Sequence, residues 1–256
     1  MKRILSILVA LCLFTTSQAQ IGRFPFAKAI ASSGASGLTE GLISYYSFEE
    51  ESGDLIDLHG SHDGTVSGSV YGGTGKIGNC YTFTATAGQG VTLPTSTDFN
   101  LAGTKGSISV WFVTSVGSYS RGWIAGTHST YATQGYGMYI DSEAPSHFKT
   151  SVGSSDAEIA YTVDMAASAS WHHAVMTWDV DGNLITYLDG TQVDSREITI
   201  SPTDRLPFTI GVNEDTSNPI VFSGSIDELA IYNRVLTSDE VTELNNSGNG
   251  KGYANF

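Results

Sequence analysis

The stretch Trp171 to Val193, WHHAVMTWDVDGNLITYLDGTQV, limits the fold more than any other part of the chain. Ala174, Met176 and Trp178 fall on one side of a period-two alternation, and His173, Val175 and Thr177 on the other, which is the pattern of a half-buried strand. Asp181-Gly182-Asn183 and then Asp189-Gly190 break the run with residues that tolerate positive φ, so the chain doubles back twice on itself. Ile108, Val110 and Phe112 repeat the alternation against Ser107, Ser109 and Trp111. Similar short runs at Leu42 to Phe48, Gly64 to Tyr71, Asn79 to Ala85, Gln89 to Leu93, Arg121 to Thr127, Tyr136 to Asp141, His147 to Val152 and Pro207 to Gly211 bring the total to about a dozen strands. No helix alternates with them. The chain therefore reads as an all-β jelly-roll sandwich of two curved antiparallel sheets, with one short C-terminal helix. That helix is marked by Thr237 and Glu240 at capping-box spacing and by Val241 and Leu244 on one edge.

The N-terminus, MKRILSILVALCLFTTSQAQ, has a basic start, an apolar run and a small-x-small site at Ser17-Gln18-Ala19, the layout of a secretory signal peptide cleaved after Ala19. The expected organisation is residues 1–19 as signal peptide, 20–40 as a Gly/Ser/Ala-rich linker or arm, 41–245 as the folded domain, and 246–256 as a Gly/Asn tail. Residues 246–256 carry little apolar content. The protein is expected to be secreted, to an extracellular or periplasmic space. No later stretch is long and apolar enough for a membrane helix, so no membrane insertion of the mature chain is expected.

The whole chain carries 12 Lys+Arg and 26 Asp+Glu, a formal charge of −14. Losing Lys2 and Arg3 with the signal peptide leaves 10 basic against 26 acidic residues, or −16. Nucleic-acid binding needs a basic footprint, so that class is excluded. Cys80 is the one cysteine beyond the leader, so no internal disulfide staples the domain, and the core must supply its stability.

Six segments in order carry a family resemblance: GLISYYSFEEESGDLIDLHGSHDGTVSG, GKIGNCYTF, GSISVWF, WHHAVMTWDVDGNLITYLDGTQV, FTIGVN and FSGSIDELAIYNRVLTSDEVTEL. Together they resemble the laminin-G-like domain of the concanavalin A-like lectin/glucanase superfamily, over about Gly41 to Asn245. The resemblance implies a calcium ion at the sandwich edge, with Asp227 as side-chain ligand and oxygen from around Glu49. Calcium takes six to eight hard oxygen ligands, and backbone carbonyls serve among them. The alternative for Asp227 is a cap or ion pair without metal. Glu228, adjacent on the strand, is expected to face solvent or a basic partner.

Enzymes occur in the same superfamily. A retaining glycosidase needs two carboxylates about 5 Å apart on one face. Glu49-Glu50-Glu51 and Asp227-Glu228 are consecutive, so strand geometry turns neighbours to opposite faces. No Gly-x-Ser-x-Gly elbow, phosphate loop or His/Cys metal spacing is present. His59 and His62 read as hydrogen-bonded loop residues. Tyr119 to Tyr139 holds the richest mix of aromatic and planar polar side chains. Trp123, Tyr131 and Tyr136, with Arg121 and His128, are the candidate sugar-binding residues; the alternative is that the aromatics pack inside the strands. The resulting expectation is a non-catalytic binding module whose partner is a glycan or an extracellular or surface protein. A polysaccharide hydrolase or lyase with a divergent site, or a structural assembly protein, are the alternatives.

Overall fold

The structure, a computed structural model, describes residues 37–68, 70–115, 121–127, 135–141, 147–153, 169–200, 207–213 and 219–256. The leader and most of the 20–40 arm lie outside these residues. Thirteen strands occur among them: β1 (Leu42–Tyr46), β2 (Thr65–Ser67), β3 (Tyr81–Thr84), β4 (Gly90–Thr92), β5 (Gly106–Thr114), β6 (Gly122–Gly126), β7 (Tyr136–Ile140), β8 (Phe148–Val152), β9 (His172–Trp178), β10 (Asn183–Leu188), β11 (Thr191–Glu197), β12 (Thr209–Ile210) and β13 (Ser223–Tyr232). The single α-helix among the described residues, α1, spans Ser238–Asn245.

The strands form two antiparallel sheets. The larger runs β1-β13-β5-β9-β10-β11, with β3 also pairing with β13; the smaller runs β2-β4-β12-β6-β7-β8. Consecutive strands pair in β9-β10-β11 and β6-β7-β8, while strands far apart in sequence meet where β13 lies between β1 and β5 and β12 between β4 and β6, the crossovers expected of a jelly roll. The two sheets bury a common core. Ile108, Val110 and Phe112 of β5 and Ala174, Met176 and Trp178 of β9 meet Ile124, Met138, Phe148 and Ile210 of the smaller sheet. The alternation in the sequence thus assigns the inward faces of both strands correctly.

The outward face of the larger sheet is not left to solvent. Tyr45, Val175, Tyr187, Ala230 and Tyr232 on that face are buried beneath Leu38, Leu236, Val241 and Leu244. Each fully buried side chain of the Val241 and Leu244 kind is worth about 1.5–3 kcal/mol, so α1 is held by its apolar edge rather than by its own length. The capping box forms: the Thr237 hydroxyl accepts from the Glu240 amide while the Glu240 carboxylate accepts from the Thr237 amide. The Arg234 guanidinium spans the junction, donating to both Glu240 oxygens and to the carbonyls of Gly37 and Glu40.

The packed domain is wider than residues 41–245. Leu38, in the short 3-10 turn Gly37–Thr39, is wholly buried. At the other end, Tyr253 and Phe256 each place a ring 5.1 Å from that of Tyr45. Residues 246–256 therefore form a strap across the larger sheet; two aromatic rings suffice to anchor what composition alone marks as a tail. Among the described residues, no helix is long and apolar enough to cross a membrane.

Candidate functional site

The acidic pair of β13 sits at a β-bulge. Register runs Asp227 opposite Trp111 but Ala230 opposite Ser109, so β13 carries one extra residue there. Glu228 absorbs it with φ +53. With Ile226 in the core and Asp227 opposite Trp111 on the other face, the bulge leaves Glu228 on the same face as Asp227, against Gly252 of the C-terminal strap: Glu228 is 5% exposed and Asp227 0%. The expectation that Glu228 faces solvent or a basic partner is corrected by this local geometry.

Asp227 and Glu49 converge on one turn. Asp227 Oδ2 accepts from the Lys76 amide at 2.8 Å and the Ile77 amide at 3.0 Å. Glu49, on the same turn's far side, accepts from the Asn79 amide at 3.1 Å through both oxygens. The turn closes with the Gly75 amide donating to the Gly78 carbonyl at 2.9 Å. Gly78 has φ +61, and a Cβ there would lie 1.9 Å from Glu49 Oε1, so glycine is required for the close approach.

Burial pushes the Asp227 carboxyl up to about 7, against the turn amides that favour its charged form and with Glu49 adding to the rise. Burial alone raises Glu228 to about 8. Asp227 Oδ1 and Glu228 Oε2 are buried and make no hydrogen bond. An orphaned carboxylate oxygen beside a second carboxylate fits a hard cation. No group of three or more His, Cys, Asp or Glu side chains that could hold a metal ion occurs among the described residues.

The loop after β1 is organised by Asp57. Its Oδ1 accepts from the amides of Tyr45, His59 and Gly60, and its Oδ2 from that of His62. His62 is held at both ring nitrogens, with Nδ1 3.0 Å from Ser44 Oγ and Nε2 3.1 Å from Asp98 Oδ2. A Ser–His–Asp chain of this kind invites a nucleophile reading. Ser44, however, is 0% exposed in the middle of the β1/β13 edge, so no substrate reaches its hydroxyl. The chain ties the loop to the sandwich, as the reading of His59 and His62 as loop residues anticipates. His172 and His173 lie side by side on β9. His172 Nδ1 is 2.8 Å from Asp189 Oδ2, while His173 Nε2 is 2.9 Å from Ser109 Oγ. His173 is 1% exposed, and burial depresses its imidazole to about 3, against a weaker opposing pull from Asp189.

The aromatic candidates do not form one exposed platform. Tyr136 is 0% exposed in the central core, its hydroxyl donating to the Phe99 carbonyl at 2.9 Å and its ring 4.8 Å from that of Trp178. Trp123 faces away from the core, stacked on Tyr139 at 6.2 Å, but is 3% exposed. Arg121 is exposed just before β6. His128 and Tyr131 lie outside the described residues. Counting aromatics locates sandwich strands as readily as sugar platforms, because both need flat, large side chains.

Residues 85–242 match a family model described as the concanavalin A-like lectin/glucanases superfamily. No curated protein matches the chain. Several solved structures share the fold. The binding domain of Paraclostridial mosquitocidal protein 1 superimposes with a TM-score of 0.67 at 14% identity, covering 82% of this chain and 53% of that one. A structure titled for cell entry of botulinum neurotoxin type C, dependent on interaction with two ganglioside molecules, gives 0.62 at 17% identity, covering 82% and 52%. Domain 4 of AbnA, a GH43 extracellular arabinanase from Geobacillus stearothermophilus in complex with arabinotriose, gives 0.56 at 23% identity, covering 79% and 97%. The chain thus spans about half the length of the two toxin structures and nearly all of the arabinanase domain.

Proposed function

From a chain that belongs to the concanavalin A-like lectin/glucanase superfamily, we propose a secreted, non-catalytic binding module that holds a neutral or membrane-borne glycan, or a surface protein, and is braced by a structural calcium ion. The observation that carries the reading is the inaccessibility of the acidic pair of β13. Asp227 and Glu228 are 0% and 5% exposed, so they cannot flank a glycosidic bond. Solved structures with the same jelly roll include a domain in complex with arabinotriose and a neurotoxin whose cell entry depends on gangliosides, which supports a glycan as the ligand class. Calcium at Asp227 and Glu49 is supported by the orphaned Oδ1 and by the shared turn. Secretion rests on the leader sequence.

A glycan array probed in calcium and again in chelator tests this. Retention of a glycan in calcium, weakened by chelation, is expected. Failure to retain any glycan overturns the carbohydrate reading. Release of reducing ends or of an unsaturated product from a polysaccharide panel overturns the non-catalytic one.

A further inference from the structure

A cleft of about 380 Å³ opens beside the start of β1, between the loop carrying His59 to His62, Asp98 and Asn233. We propose that this cleft binds a neutral sugar residue; the proposal deepens the glycan-binding reading and rests on it. Its size sits at the small end of the roughly 300–1,000 Å³ of ligand pockets. Its floor is the edge formed by buried Leu42 and half-buried Ile43, and its walls are polar.

Three features point to a hydroxyl-rich ligand. The two imidazoles are fixed before any ligand arrives. His62 is gripped by Ser44 and Asp98, and His59 Nδ1 lies 3.0 Å from the Tyr253 hydroxyl supplied by the C-terminal strap. The remaining groups mix donors and acceptors: the second oxygen of Asp98, the exposed Ser61 hydroxyl and the exposed Asn233 amide. Planar carboxylate and amide groups of this kind take neighbouring hydroxyls in pairs, and pre-set side chains lower the ordering cost of binding. Finally, the loop backbone cannot relax away, because a Cβ on Gly60 would lie 2.5 Å from the Ile43 carbonyl oxygen and 2.6 Å from Asp57 Oδ2.

The charge selects among sugars. Asp57 and Asp98 flank His62 within 3.4 Å and 3.1 Å, and the chain carries a net −14. Asp98 alone of the two lines the cleft, with Asp57 buried behind His62; an anionic sugar would meet the Asp98 carboxylate at close range, whereas a neutral pentose or hexose meets it only as a hydrogen-bond acceptor.

Calorimetric titration of the full chain with arabinotriose, xylotriose, maltotriose and sialyllactose tests the assignment, using Asn233→Ala and Asp98→Asn alongside Thr92→Ala on the smaller sheet. Expected is binding of at least one neutral trisaccharide, weakened tenfold or more by Asn233→Ala and Asp98→Asn with unchanged melting temperature, and untouched by Thr92→Ala. If the wild type binds a neutral trisaccharide and both cleft variants match it, or Thr92→Ala alone weakens it, the cleft is the wrong place while the glycan-binding reading stands. Tighter binding of sialyllactose than of every neutral probe overturns the neutral-sugar assignment. Binding of none of the four removes the cleft proposal, and a blank glycan array as well removes the reading beneath it.

Discussion

Removing the Asp227 charge should make the calcium-free protein more stable at alkaline pH, which is the reverse of what deleting a paired surface carboxylate does. The folded-state pKa lies at about 7, raised by burial from 3.8. A raised value means the folded protein holds a proton that the unfolded chain has released. The stability this group allows is therefore complete below about pH 4 and falls as pH rises toward 7 and beyond. Every tenfold change in proton affinity is worth about 1.4 kcal/mol, so lifting the carboxyl from 3.8 to about 7 amounts to roughly 4 kcal/mol by about pH 8.5. In a domain of this size that is about 8–16 °C of melting temperature.

Asp227→Asn keeps an oxygen for the Lys76 and Ile77 amides and does not titrate. Melts in chelator from about pH 4 to 9 should show the wild type losing ground to the variant by about that amount. Calcium narrows the gap, because a cation favours the ionised carboxylate. At a hundredfold excess over Kd it should add about 2.7 kcal/mol to the wild type and nothing to Asp227→Asn. Parallel pH profiles for the two proteins in chelator would refute the buried, proton-holding carboxyl. Equal calcium gains would take the ion away from Asp227.

Other outcomes follow from the same geometry. Gly78→Ala places a methyl against Glu49 at a left-handed position, and should cost about 1–3 kcal/mol in chelator melts and blunt the calcium response without changing any charge. His173 has a folded pKa depressed to about 3, so its contribution is full above about pH 6.5 and is lost as pH falls toward 3; His173→Gln should flatten the acid limb of a urea-melt pH profile. Thr237→Ala removes the cap of α1 and should cost about 1 kcal/mol, read as a lower urea midpoint at unchanged slope. Gly60→Ala should destabilise by about 1–3 kcal/mol, since its neighbours are a backbone oxygen and the Asp57 carboxylate that already holds four amides.

The sandwich is legible in the sequence because burial on one sheet face imposes period two, and β9 obeys it without exception: Ala174, Met176 and Trp178 point into the central core. The helix is legible because its capping box is local chemistry. The strap is not. Tyr253 and Phe256 are only two rings in a stretch of Gly and Asn, and what anchors them is Tyr45, about 200 positions earlier in the chain. The pairing of Asp227 with Glu49 is implied by the family resemblance alone; the turn that joins them, Gly75 to Asn79, leaves no side-chain pattern because its work is done by backbone amides.

The misplacement of Glu228 has a more instructive cause, since the signal is present in the apolar residues around it. Ile226, Leu229 and Ile231 all enter the central core. The step from Leu229 to Ile231 is two, as a strand requires, but the step from Ile226 to Leu229 is three. A regular strand cannot put residues three apart on one face. One residue between them has to be accommodated by a bulge, and the register shift after Asp227 together with φ +53 at Glu228 is that accommodation. The bulge puts both acids on the outer face of the larger sheet, beneath the Gly75–Asn79 turn and the C-terminal strap, where burial raises their pKa values and leaves an oxygen of each without a donor. An odd step in an otherwise even apolar pattern thus marks the same position as the acidic pair, and the two signals taken together place a buried carboxylate site at a strained backbone position in the sequence itself.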